Sequence, residues 1–257
     1  MEQERKCCLT KKQIYGCLVF VGAIILALIV SYFKESSFFI PKLSVDKLGM
    51  RQGDFIKIGA ILPLTEKQSS YGVPLKNVLE LAVKEINAQG GARSHNFELF
   101  VEDGVCNSND AEKAMEKLVK EEVRVVIGGF CDKETLGALP VAEKYKIPLI
   151  SGSTKNSFNL GQNLFFVSIF PNKSFSPNYK NEKFQNLSRL YKEQYKKELS
   201  HPVFAELMYD AVFLTRDAII GVGLDGEKIA KWFRSVVEWP GASGLISINA
   251  NGERVGF

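Results

Sequence analysis

Histidine is scarce in this sequence of 257 residues. His95 and His201 are the only two, and neither has a Cys or a second His at ligand spacing, which argues against a metal site. No Ser stands in a Gly-x-Ser-x-Gly elbow and no other catalytic constellation is visible, so the chain reads as a non-enzyme with no cofactor or metal. Charge of one sign is equally sparse. Of the formal +4, about half falls within residues 1–33, where Arg5, Lys6, Lys11 and Lys12 oppose Glu2 and Glu4. The remainder is too close to neutral for a nucleic-acid footprint, and no nucleic-acid partner is expected. There is no internal repeat and no low-complexity tract. Cysteine is uneven: Cys7, Cys8 and Cys17 lie early, and only Cys106 and Cys131 follow.

What is present is ordinary globular composition, 46% hydrophobic and 24% charged. Residues 14–33 (IYGCLVFVGAIILALIVSYF) carry no charge, and about twenty such residues is the length a helix needs to cross a hydrocarbon core. A cleaved signal peptide is the alternative. The run is long for one and leads into Ser31, Tyr32, Phe33 and Lys34, not into an Ala-x-Ala-like site, so an uncleaved anchor is expected. The basic residues ahead of it keep residues 1–13 cytoplasmic. The body is therefore expected outside the membrane, periplasmic or extracellular. Cys106 and Cys131, the only two cysteines of that exported part, suggest one disulfide in an oxidising compartment.

Residues 34–53 have no sustained period and read as a tether. Alternation begins after them. Residues 55–62 (FIKIGAIL) form a continuous apolar, β-branched run suited to a central parallel strand. Residues 73–91 then place Val78, Leu79, Ala82, Val83 and Ile86 on one helical stripe that Gly90 and Gly91 stop. Strands at 97–104, 123–130, 147–153 and 164–170 alternate with helices from 109 or 110 to 120 and over 133–146, the latter with Pro140 as a kink or early break. Such alternation implies an α/β fold with a doubly wound parallel sheet. Ligands are then expected at the carboxyl ends of strands, at residues 63–71, 104–107, 129–132 and 151–156. The last third is mostly helical, with stripes at Phe184, Leu187, Leu190 and Tyr191 and at Phe204, Leu207, Met208, Ala211 and Val212. A strand and an Asn-Gly turn close it. Residues 221–226 (GVGLDG) fit Gly-x-Gly-x-x-Gly but follow a helix, which makes them a helix-ending loop and not a dinucleotide site. The Lys-rich residues 192–197 read as a solvated helix face.

Several segments, in order and spacing, resemble the type I periplasmic binding proteins, the leucine/isoleucine/valine-binding family. They are IKIGAILPLT, Tyr71 and Gly72, LAVKEINAQGG, VED at 101–103, EKLVKEEVRVVIGGFC, PVAEKYKIPLISGS, YDAVFLTRDAI and GERVGF, over roughly residues 54–257. Cys106 and Cys131 stand 25 residues apart, the separation of the disulfide-bonded pair in the family's leucine/isoleucine/valine-binding members. The resemblance also implies a departure. Family members close two lobes on the ligand, whereas here the second lobe is missing between about residues 170 and 178, leaving residues 54–257 as a single lobe. Such a lobe is long enough to bury about 70% of its unfolded surface.

The resemblance further implies a grip on the α-amino and α-carboxylate groups of an amino acid. The positions fall on Asp132, Ser153 and Lys155, with Tyr71 and Phe130 lining the pocket. Asp132 and Lys155 replace hydroxyls. Asp132 suits an ammonium and Lys155 a carboxylate, unless the two simply pair across an unused cleft. A shift of one residue puts Thr154 in the hydroxyl position instead. The expected partners are a small-molecule ligand, an amino acid by resemblance, the membrane, and a transporter permease or other protein. The expected function is a membrane-anchored extracytoplasmic ligand-binding protein with weak or lost ligand binding. The alternative is a protein–protein interaction or sensory module built on one lobe.

Overall fold

The computed structural model describes residues 54–152, 163–171 and 180–255. Strand β1 (Ile56–Leu62) shows how the sheet is covered on both faces. Ile58, Ala60 and Leu62 join one apolar cluster, while Ile61 joins another on the opposite side, as the two-residue period of a strand requires. Helix α1 (Ser69–Ala88) follows, then β2 (Phe97–Asp103), α2 (Ser108–Lys120), β3 (Val126–Gly128), α3 (Asp132–Tyr145), β4 (Leu149–Ser151) and β5 (Phe166–Ser168). All five strands are parallel in the order β2-β1-β3-β4-β5, so the order reverses beside β1. Ala111, Met115 and Leu118 of α2 and Ala138 and Ala142 of α3 cover one face.

The other face is covered by α1 together with α4 (Glu182–Tyr195), α5 (Pro202–Val222) and α6 (Gly226–Phe233). Both helical stripes of the last third lie where their periodicity puts them. Asn181 caps α4, accepting from Lys183 N at 2.9 Å, and Asp225 caps α6 by accepting from Lys228 N. Residues 221–226 end α5 and begin α6, which is a loop between helices as expected. A three-stranded antiparallel sheet of β6 (Trp239–Gly241), β7 (Gly244–Ile248) and β8 (Arg254–Val255) adjoins β5, to which it is joined by a Ser168 N to Gly252 O bond of 2.7 Å.

Two expectations are corrected. Pro140 does not break α3, which runs on to Tyr145. The ring lies on the exposed side of the helix, facing solvent and not the sheet. Tyr71 belongs to the first turn of α1 and not to a preceding loop. Gly72 permits this, because a Cβ there would fall 1.8 Å from Pro63 O and force the helix off the end of β1.

No helix among the described residues is long and apolar enough to cross a membrane. Residues 1–53, with the expected anchor and tether, lie outside the described residues, as do Ser153, Thr154 and Lys155 and most of the expected lobe junction between about residues 170 and 178.

Candidate functional site

The strand order reverses between β2-β1 and β3-β4-β5, and in open α/β sheets a crevice for ligands forms outside the carboxyl ends at such a point. Asp103, at the end of β2, fixes one wall. Its carboxylate accepts from Leu64 N at 2.8 Å, Thr65 Oγ1 at 2.6 Å and Val105 N at 3.0 Å, tying the β1–α1 loop to the next strand. Burial pushes this carboxyl up, but the hydrogen bonds from Thr65, Leu64 and Val105 outweigh it and hold Asp103 below its ordinary value. The anchored loop delivers Tyr71.

The opposite wall starts from β3. Gly128 and Gly129 take positive φ, and Gly129 O accepts from Thr135 Oγ1 at 3.0 Å and from Ser151 Oγ at 3.3 Å. The chain then presents Phe130, whose ring centroid lies 5.4 Å from that of Tyr71. Cys131 caps α3 and is bonded to Cys106, with Cα atoms 5.2 Å apart. The expected disulfide therefore joins the exits of β2 and β3. Beneath it the fully buried Glu134 accepts from Cys106 N and Cys131 N. Burial pushes its carboxyl up to about 7 against the backbone bonds from Cys131, Cys106 and Phe130. Among the described residues Cys106, Cys131 and Glu134 are the one group with metal-type donors close together, and its sulfurs are already committed to each other.

Asp132 is the first residue of α3, with its side chain exposed at the helix N-terminus. Ser151 ends β4 and Gly152 follows it, both buried, and Ser153, Thr154 and Lys155 come next, outside the described residues. Tyr71 and Phe130 are thus brought together, with Asp132 two residues beyond Phe130.

Three further aromatic residues gather here that sequence reasoning missed. His201 stacks on Tyr71 at 4.0 Å and its Nε2 lies 3.2 Å from Ser70 O. Phe204 meets Phe130 at 5.1 Å, Tyr71 at 6.2 Å and Phe170 at 6.2 Å. The available signal was the nearness of His201, the residue before α5, to Phe204 in the first turn of that helix. Nothing local indicated that this turn would reach Tyr71. The resulting edge, an aromatic floor beside the exposed Asp132 carboxylate, can meet an apolar side chain attached to an ammonium.

The comparisons with known proteins agree with this architecture. A family model described as "Periplasmic binding protein" matches residues 56–174. The "Leu/Ile/Val-binding protein homolog 2" of Brucella abortus is 28% identical over 138 residues, 50% of this chain and 37% of the relative. The "Leu/Ile/Val-binding protein" of Escherichia coli K12 is 26% identical over 102 residues, 40% of this chain and 28% of the relative. The matches thus span well under half the length of either relative. Among solved structures, the isoleucine complex of the branched-chain amino acid transporter substrate binding protein LivJ from Streptococcus pneumoniae superposes with a TM-score of 0.71 at 17% identity, over 79% of this chain and 94% of that one. The leucine binding protein LivK from Thermotoga maritima gives 0.68 at 18% identity, over 78% and 93%. These low identities speak for the fold.

Proposed function

We propose that this chain, a relative of the Leu/Ile/Val-binding proteins with the fold of a type I periplasmic binding protein, is a membrane-anchored, non-enzymatic receptor lobe that meets free amino acids outside the cytoplasm. The observation that carries the reading is the pairing of Tyr71 and Phe130 at 5.4 Å over the reversal in strand order, with Asp132 at the adjoining helix start. In this reading the aromatic pair takes the apolar side chain and Asp132 the ammonium. Ser153, Thr154 and Lys155 complete the grip on the carboxylate, and a transporter permease is the macromolecular partner. The relatives' names, which concern branched-chain amino acids and a transporter, support the ligand class and the partner.

Binding is weak in this proposal. In this reading one lobe meets the ligand and its far side stays in water, and the one parallel sheet among the described residues supports it. Tight small-molecule sites cover most of the ligand, and an ion pair left hydrated contributes only about 0–1 kcal/mol. A constant near millimolar follows, about −4 kcal/mol. Calorimetry of residues 54–257 with leucine, isoleucine, valine and the other amino acids tests this, and a micromolar constant for the monomer would overturn the one-lobe argument.

One observation favours a second reading, a protein-interaction module. His201 and Phe204 already lie against Tyr71 and Phe130, where a ligand side chain would sit. A lobe whose own rings fill the crevice offers its edge to another protein. Thermal stability that no amino acid raises would favour this reading, since a ligand that binds the native state must stabilise it.

A further inference from the structure

Away from the carboxyl edge, on the helical face of the sheet, a cavity of about 330 Å³ opens between the second half of α1, the start of α4, the middle of α5 and β6. Its size falls within the range of small-molecule sites, about 300–1,000 Å³. Neither Tyr71 nor Phe130 borders it.

A continuous run of hydrogen bonds surrounds the cavity. Tyr209 donates to Glu85 Oε2 at 2.6 Å, and Gln89 Nε2 donates to Glu85 Oε1 at 3.3 Å. Arg216 Nη1 donates to Gln89 Oε1 at 3.0 Å and Arg216 Nε to Asp217 Oδ1 at 2.8 Å, while Trp239 Nε1 reaches Asp217 Oδ2 at 2.9 Å. Six side chains thus hold one another in place before any ligand arrives. A guanidinium has five N–H donors and a carboxylate about four acceptor positions, so Arg216 and Glu85 both keep capacity for a further partner. Glu182, Lys183, Asn186 and Asp210 also line the wall, and its apolar part is aromatic. Tyr209 and Phe213 lie 4.7 Å apart, the Arg216 guanidinium sits 4.8 Å from the Phe213 ring, and Lys183 Nζ is 5.0 Å over Trp239.

The signs of charge decide what fits. A simple anion would meet Glu85, Glu182 and Asp210, and a simple cation would meet Lys183 and Arg216, the latter already paired with Asp217 through Nη2 at 2.8 Å. Only a molecule carrying both charges complements both groups, and the aromatic wall calls for an apolar portion beside them.

We propose that this cavity is a second ligand site, distinct from the carboxyl edge, for a small zwitterion with an apolar side chain. Arg216 takes the carboxylate, Glu85 takes the ammonium, and Trp239 and Phe213 take the side chain. The site belongs to the body alone and does not depend on how the carboxyl edge is used.

Trp232 and Trp239 are the only tryptophans, so W232F leaves Trp239 as the sole indole reporter. The full-length chain with this substitution, in detergent, is titrated with phenylalanine and leucine. Hydrocinnamate, which lacks the ammonium, and phenethylamine, which lacks the carboxylate, serve as single-charge probes. A saturable change in Trp239 emission is expected with both amino acids. Each single-charge probe should bind about tenfold more weakly or worse, and R216Q and E85Q should each weaken the amino acids by a similar factor. F130A, at the carboxyl edge, should leave the response unchanged. If one cavity variant fails to fold, by circular dichroism, the other decides. The proposal falls if neither amino acid gives a saturable change or if a single-charge probe binds as well. It falls equally if F130A abolishes a response that the cavity variants preserve.

Discussion

Glu134 and Cys106 meet across the loops that leave β3 and β2: Oε1 of the buried carboxylate accepts the Cys106 N–H at 3.0 Å, and its other oxygen accepts the Cys131 N–H at 3.1 Å. The same two loops are therefore joined twice, covalently by the disulfide and electrostatically by one side chain beneath it. Replacing both Cys106 and Cys131 by Ser should lower stability by about 3 kcal/mol, the usual effect of opening a loop of this length. Urea unfolding measures it, and an unchanged midpoint would show the bridge to be dispensable. G104A should be destabilising by about 1–3 kcal/mol as overpacking, since its Cβ would stand 2.4 Å from Glu134 Oε1 and 2.7 Å from Ile61.

The dependence of stability on pH carries two opposite signs. Burial raises Glu134 from 4.5 to about 7 and Asp210 from 3.8 to about 6, although Asp210 accepts from Ala242 N and Ser243 N and faces Arg254. A carboxyl raised in the folded state binds its proton more tightly there than in the unfolded chain. Its contribution is present in acid and is lost as pH climbs from the ordinary value to the raised one. Asp103 is lowered, so its contribution is present above 3.8 and is lost below it. Stability should therefore peak in mild acid and decline toward pH 7, by at most about 1.4 kcal/mol per pH unit for each raised group. In E134Q the slope between pH 5 and about 7 should flatten. Urea midpoints across this range, equal in slope for both proteins, would remove Glu134 as the source.

Phe204 joins three aromatic neighbours, and its loss should loosen the whole carboxyl edge. F204A is expected to cost about 2 kcal/mol or more. A double-mutant cycle with F130A should give a coupling of about 0.5–1.5 kcal/mol, the value of an edge-to-face pair. Additive effects would mean that the rings adjoin without supporting one another.

The anchor is tested on the protein in its own membrane. N-terminal sequencing of the membrane fraction should begin at the first residues of the chain, with residues 14–33 retained. A mature chain that starts near Lys34 would identify the apolar run as a removed signal peptide.

By itself the sequence determined the alternation of strands and helices, because each element writes its own period locally: β1 is apolar apart from Lys57, and α2 and α4 bury residues at helical spacing behind their Asn caps. The count of two cysteines in the exported part suggested the Cys106–Cys131 bridge and the resemblance sharpened it, while the resemblance alone put Tyr71 and Phe130 at the ligand edge. Boundaries were less legible. Residues 69–72 have no side-chain cap to announce a helix, and only the nearness of Pro63 O to Gly72 explains its start. Tertiary structure alone decided which distant residues meet. Tyr71 lies against His201 and Phe204, Glu85 holds Tyr209, and Asp210 binds the backbone of Ala242 and Ser243. Such contacts join residues far apart in the chain. Their existence depends on the order of strands and on which face of the sheet each helix crosses, and periodicity, a local property, carries no record of either.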